Sequence, residues 1–378
     1  MSEARAGTVE EFAAQFDEEP GYLDFARLGP LGLAVVEEER MHAEFLRRAR
    51  FGSLDQLLGQ DVRVREAASV LTGFAPEQIV FQPDTSTGLM HAMFGLTGQV
   101  ALSPAEFPSL RYAVVRAQQA LGLLSPVWLE AEHNRVTPGT LREQLTPEVT
   151  AVAVSLVDYR TGYLADLDGI RQVIGDRLLI VDAVQGFGVV DAPWELADVV
   201  ASGGQKWVRA GMGTGILALS DRAAERLVPM LSGWMAGPDV QEGEDVADAV
   251  AGAGAFRITH PNPIAQARMG AAMEAISLAG IDRVQAAISA NVDRVLALVD
   301  EFGIPVTSPR SEAERAGIIV LTPAPDQFTV LSAALYNHGI TVSQRDGSIR
   351  ISVHVSTSEE TFELLRSALL GFASATRA

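Results

Sequence analysis

Residues 177–217 read RLLIVDAVQGFGVVDAPWELADVVASGGQKWVRAGMGTGIL. Twice in this stretch an acid, an apolar run and a set of small residues follow one another: LLIV ends at Asp182, and DVVASGG leads into Lys206. Runs that are apolar on both faces suit parallel strands covered by helices on either side. In an open parallel sheet, ligands bind outside the carboxyl ends of the strands. Asp182 at the end of the first run and Lys206 just beyond the second are therefore expected to face one crevice. For Asp182 alone, a helix cap or a loop acid is an equal alternative. GMGTG at 211–215 lacks the G-x-G-x-x-G spacing and leads into a strand, which argues against a dinucleotide site.

Working outward, QIVFQ, QVALS, VWLEA, TAVAVSLV, RLLIVDA, DVVAS and GILALS alternate with helical stretches, the pattern of a doubly wound α/β sheet. Residues 1–20 read as an N-terminal arm ending at Pro20-Gly21, and 21–255 as a large α/β domain closing on a glycine-rich acidic loop from about 236. Residues 256–378 begin with the periodic stretch PIAQARMGAAMEAISLAG, continue through GIIVLTP, GITVSQ and SIRISVHV, and end on an amphipathic helix. They read as a smaller α+β domain.

The protein has 378 residues and a formal net charge of −19, with no cysteine. Such charge repels phosphate backbones, and no basic stripe offsets it, so a nucleic-acid partner is not expected. Without cysteine there is no disulfide, thiolate metal site or cysteine nucleophile. The six histidines, at 42, 91, 133, 260, 338 and 354, show no metal spacing, so no metal is expected. No apolar run approaches the roughly 18 residues of a membrane span, and MSEARAGTVEEF is acidic; a cytoplasmic protein without a membrane partner is the expectation.

Of the 29 basic residues, 28 are arginine and one is lysine, Lys206. Either type serves a solvated surface, but only lysine sheds its proton near neutral pH and attacks a carbonyl to form a Schiff base. A leftover surface lysine is the alternative from the count alone. A carboxylate and a Schiff-base lysine in one crevice are the two groups pyridoxal phosphate requires.

D-A-V-Q at 182–185, D-V-V-A-S-G-G-Q-K-W at 198–207 and G-x-G-T-G resemble the class V aminotransferase family of fold-type-I pyridoxal-phosphate enzymes, in order and spacing over nearly the whole sequence. The resemblance implies an internal Schiff base on Lys206, which then moves the α-proton. It gives Asp182 the protonated pyridine nitrogen and Gln185 the phenolic oxygen. YLDFARLGPL looks like the family's opening strand and glycine turn. Thr85 and Ser86 of FQPDTSTGL stand where a helix N-terminus holds the cofactor phosphate, although TST is also an ordinary cap. Phe107 in AEFPS matches the ring that covers the pyridine face. Asp158 in VSLVDYRTG stands where asparagine commonly approaches the phenolic oxygen; an acid there is either protonated or out of contact. Gln205 occupies the position before the lysine, where relatives often carry histidine or tyrosine. Trp234 and Thr259 match segments that reach a partner subunit's phosphate, implying a homodimer. Arg350 in SIRIS matches the clamp on the substrate α-carboxylate.

The family spans aminotransferases, desulfurases, C–S lyases, epimerases and kynureninases, and a shared fold does not choose among them. Persulfide transfer needs a thiolate, so a desulfurase of that type is excluded by the lack of cysteine. DYRTG, EFPS and SGW lean toward kynureninase, whereas Gln205 and Gln185 depart from it. The leading expectation is an aminotransferase acting on a small amino acid. The alternatives are a lyase or hydrolase that cleaves a C–S or C–C bond in the substrate's side group, and a non-catalytic cofactor-binding protein.

Overall fold

Seven strands build the main sheet: β1 (Ile79–Phe81), β2 (Gly98–Leu102), β3 (Leu124–Trp128), β4 (Val149–Ser155), β5 (Leu178–Asp182), β6 (Val199–Gly203) and β7 (Gly215–Leu219). Their order is β1-β7-β6-β5-β4-β2-β3. β3, β2, β4, β5 and β6 run parallel, while β7 is antiparallel to both β6 and β1. Every residue of β5, β6 and β7 is buried, which is why these strands are apolar without alternation. The computed structural model describes residues 7–132, 135–238 and 245–376. His133, the start of the N-terminal arm (1–6) and part of the 236–255 loop (239–244) lie outside them.

A second sheet comprises β8 (Ile318–Leu321), β9 (Ser343–Arg345) and β10 (Ser348–Ser352), antiparallel in the order β8-β10-β9. A two-residue Asp-Gly turn joins β9 to β10, with Asp346 at φ 44° and Gly347 at φ 77°. Two positive φ values match the right-handed strand twist, and the turn fixes Arg345 opposite Ser348. The architecture is thus α/β, with a large, mostly parallel sheet and a smaller antiparallel one.

The segment expected to open the large domain pairs instead with the small sheet: Tyr22 bridges Thr341, and Asp24 bridges Ser352. Gln205, just beyond β6, accepts a hydrogen bond at its carbonyl from the Gly29 N–H at 2.8 Å. A Cβ on Gly29 would come within 2.0 Å of the Lys206 carbonyl oxygen, so only glycine allows this approach. The glycine turn read in LGPLG therefore lies against the lysine loop. Residues 21–32 join the small sheet to the end of β6.

Among the described residues, no helix is long and apolar enough to cross a membrane, and no cluster of acids and histidines is placed to hold a metal.

Candidate active site

Asp182 ends β5, paired with Ala201 on β6 and Ser155 on β4, so it stands at the C-terminal edge of the sheet. Its side chain is 2% exposed. Oδ1 accepts a hydrogen bond from the Val184 N–H at 3.1 Å, whereas Oδ2 is buried with no hydrogen-bond partner. Burial pushes this carboxyl up to about 6, outweighing the opposing pull of the Val184 N–H and of the Lys206 charge. Asp198, the acid before β6, lies at the other end of that strand and is spent on structure: it pairs with Arg171 and Arg222, both at 2.6 Å.

Lys206 is 9% exposed. Burial brings its ammonium down to about 8; Asp182 counteracts this, and the charges of Arg350 and Arg345 add to it. For Asp182 and Lys206 alike, desolvation wins over mutual attraction. The result is an amine that a modest rise in pH makes nucleophilic. Lys206 Nζ lies 5.3 Å from the centroid of the Phe107 ring, and that ring meets Tyr159 edge-on at 5.0 Å.

A polar cradle lies beside the lysine. Thr85 opens the helix Thr85–Gly95, capped by the Asp84 side chain on the Thr87 N–H. A Cβ on Gly203 would stand 2.2 Å from Gln205 Oε1 and 3.1 Å from Thr85 Oγ1, so the three residues converge on one space. Thr85 Oγ1 and Gln205 Oε1 are both buried without a hydrogen-bond partner. Ser86 Oγ donates to Ser109 Oγ at 2.8 Å, tying this helix to the one that follows Phe107.

Arg350 extends from β10 and is 4% exposed. Its guanidinium donates to the Tyr159 carbonyl and to Ser343 Oγ, each at 3.2 Å, and lies 3.5 Å from Asp24. Its Nε is buried and unpartnered. Asp24, bonded to Ser343 Oγ at 2.8 Å, anchors the arginine and balances its charge. Burial raises the Asp24 carboxyl above the ordinary carboxylate value, with Ser343 and Arg350 opposing.

Two residues that the resemblance assigns to the cofactor also carry structural hydrogen bonds. Asp158 Oδ1 accepts from the N–H groups of Arg160 at 2.7 Å and Thr161 at 2.8 Å, and from Thr161 Oγ1 at 3.1 Å. The carboxylate thus closes its own turn, which favours the out-of-contact alternative: an acid bonded to its own backbone is not free for a phenolic oxygen. Gln185 is built into the frame. Its Nε2 donates to the Ala26 carbonyl at 3.0 Å and its Oε1 accepts from Trp207 Nε1 at 2.8 Å, joining the lysine loop to residues 21–32.

Sequence reasoning missed Glu106. It accepts hydrogen bonds from Ser155, at 2.5 Å from the hydroxyl and 3.2 Å from the backbone N–H. Burial pushes it up to about 7, with Asp158 and Asp182 adding to the rise. An acid wedged between Ala105 and the aromatic Phe107 was the available signal. His354 is structural: fully buried, it stacks on Phe25 at 5.2 Å.

The model of the family described as "Aminotransferase class-V" matches residues 63–369, most of the sequence. The chain belongs to this family. Its fold-type-I neighbours include a cysteine desulfurase from Thermococcus onnurineus, 21% identical with a TM-score of 0.82, covering 92% of this protein and 93% of that one. The cystine C–S lyase C-DES, in complex with cysteine persulfide, is 19% identical with a TM-score of 0.83, covering 93% and 97%. The cysteine desulfurase CsdA from Escherichia coli is 18% identical with a TM-score of 0.80, covering 98% and 99%. No curated protein matches the sequence. At these identities the neighbours establish the fold, and the class V family establishes pyridoxal phosphate as the cofactor.

The residues fit that cofactor. Asp182 Oδ2, Thr85 Oγ1 and Gln205 Oε1 are buried polar atoms without a partner at the C-terminal ends of β5 and β6, an arrangement that costs stability unless a polar group meets it. Trp234 and Thr259 lie together, Trp234 Nε1 donating to Thr259 Oγ1 at 3.3 Å. Trp234 is 56% exposed, which rules out a core role. Thr259 lines a cavity of about 590 Å³ together with Thr87, Met212 and Gly213.

Proposed function

We propose that this class V protein is a pyridoxal-phosphate-dependent aminotransferase acting on a small amino acid. The observation that carries the cofactor part of this reading is one buried, easily deprotonated lysine beside one buried acid that keeps an unpartnered oxygen. When bound, the cofactor supplies a sink that withdraws electrons from the bonds at substrate Cα. Lys206 would hold it through Nζ and would serve as the base that carries the proton of the substrate Cα. Asp182 keeps the pyridine nitrogen protonated, a task suited to a carboxylate shielded from water. Thr85, Ser86 and Gln205 hold the phosphate, and Phe107 covers the ring.

Arg350 clamps the α-carboxylate. Its anchors, Asp24, Ser343 and the Tyr159 carbonyl, fix the guanidinium plane and so decide which bond at Cα is presented for cleavage. The active unit in this reading is a homodimer. The exposed Trp234, Met212 and Ile258 form part of an apolar face around Thr259 that a second copy would cover.

A second reading, cleavage of a C–S bond in the substrate's side group, draws on the C–S lyase and desulfurase neighbours. Product analysis separates the two. An aminotransferase incubated with an amino donor and no 2-oxo acid stops after one equivalent of oxo product and leaves the amine on the cofactor. A lyase turns over without an acceptor and releases ammonia with the cleaved fragment. Multiple turnovers without an acceptor would overturn the first reading.

A further inference from the structure

Arg345 occupies the last position of β9, directly opposite Ser348 on β10. Directly paired residues of an antiparallel ladder share a face, and residues two apart on one strand do as well. Arg345, Ser348 and Arg350 therefore project from the same side of the small sheet, the side that carries the proposed carboxylate clamp. The rows of Ser348 and Arg350 lie about 7 Å apart along the strand. That is the scale of a dicarboxylic amino acid laid out at length.

The opposite wall of this space is Tyr159. Its ring touches Phe107, which touches Lys206, and it carries two guanidinium groups: Arg345 at 5.3 Å and Arg160 at 5.6 Å from the ring centroid. Arg160 reaches Asp158 only at 3.6 Å, and its Nε and Nη2 have no hydrogen-bond partner. Among the described residues, no carboxylate lies within ion-pair distance of the Arg345 guanidinium. The charge of Arg345 is close enough to act on both Lys206 and Arg350. A protein with a net charge of −19 thus gathers cations at this one place beyond what the α-carboxylate clamp needs.

We infer that Arg345 and Arg160 form a second anion subsite, and that the substrate is an α-amino acid bearing a second, distal carboxylate, the aspartate and glutamate class. Arg350 takes the α-carboxylate, and Arg345, steadied on the Tyr159 ring, takes the distal one with Arg160 beside it. A cation–π contact with tyrosine steadies a guanidinium without using its N–H donors, which leaves its fork free for a carboxylate. Arg345 itself is exposed, so the subsite opens to solvent and its pull on an acid weakens as salt is raised. This inference rests on the proposed function, because it assigns a substrate to the same site.

The test uses the full-length protein reconstituted with pyridoxal phosphate. Changes in cofactor absorbance on titration give apparent affinities for L-aspartate, L-asparagine, L-glutamate, L-glutamine and L-alanine. Each acid and its amide are nearly isosteric, so their ratio isolates the distal charge. At least one acid is expected to bind roughly tenfold or more tightly than its amide. Arg345→Gln is expected to bring that ratio close to one, Arg345→Lys to keep part of it, and Arg160→Gln to lower it; melting curves check that each variant is folded. Acids that bind no better than amides, or a ratio unchanged in Arg345→Gln, would overturn the subsite while leaving the proposed function standing. A cofactor spectrum indifferent to every amino acid would overturn both.

Discussion

Ser155 and Asp182 stand opposite one another at the C-terminal ends of β4 and β5, and Ser155 hands its hydroxyl and its N–H to Glu106. Two buried carboxyls are thus linked across a single strand pair. Burial makes both harder to ionise than ordinary carboxyls, raising Glu106 to about 7 and Asp182 to about 6.

Glu106 should therefore leave a signature in stability. Its value in the folded protein lies above its unfolded value, so its contribution is fully present below about pH 4.5 and is lost as pH rises through about 7. The difference is on the order of 3 kcal/mol. Denaturant melts of the cofactor-free protein from pH 4.5 to 8 should show wild type losing stability relative to Glu106→Gln over this window. Parallel curves for the two proteins would show that Glu106 titrates normally.

Asp182→Ala should leave the cofactor attached to the lysine and the protein coloured, while turnover falls by several orders of magnitude, because the pyridine nitrogen loses its partner. Without cofactor the variant loses a buried oxygen that lacks a hydrogen bond but also the acceptor of the Val184 N–H, so its stability should change little. Turnover at the wild-type rate would remove Asp182 from this role.

Arg350→Lys keeps a charge but loses the planar fork and the paired bonds to the Tyr159 carbonyl and Ser343. KM should rise and kcat fall together, with cofactor affinity unchanged. A less stable protein with unaltered constants would make Arg350 a structural residue.

Much of this was legible in the sequence, for definite reasons. β5, β6 and β7 are buried on both faces, so their apolar runs mark them, and the acid and the lysine follow from where those runs stop. β3 was harder: as an edge strand with Pro126 inside it, it is half exposed and lies three residues earlier than VWLEA suggests. The reversal of β7 leaves no trace in an apolar pattern, which is blind to strand direction. Tyr22 and Asp24 read as the start of the large domain because their partners, Thr341 and Ser352, lie more than three hundred residues away. The turn chemistry of Asp158 was visible in D-Y-R-T-G, whereas the meeting of Arg345 with Tyr159 depends on two distant turns and could not be read locally.

The N-terminal arm carries an unexpected duty. Arg209, three residues after the lysine and 1% exposed, pairs with Glu18 at 2.6 Å and donates to Ser356 Oγ at 2.7 Å and the Pro30 carbonyl at 2.5 Å. It also lies over the Phe16 ring at 3.6 Å. Removing one partner strands a buried charge, so Glu18→Ala should cost about 3–5 kcal/mol in denaturant melts. A loss below about 1 kcal/mol would show that the arm is not part of the lysine loop's support.

The proposed dimer is checked by sedimentation of the holo-protein alongside activity. Thr259→Ala should weaken cofactor retention in a dimeric protein, and a fully active monomer would contradict the placement of Thr259 and Trp234 at a shared site.

Everything proposed for the site turns on the sole lysine carrying the cofactor, and borohydride reduction of the holo-protein followed by proteolysis and mass spectrometry tests this most directly. A stable pyridoxyl adduct is expected on the peptide containing Lys206, and none in Lys206→Ala. Reduction that leaves this peptide unmodified, with the cofactor released on denaturation, would contradict it.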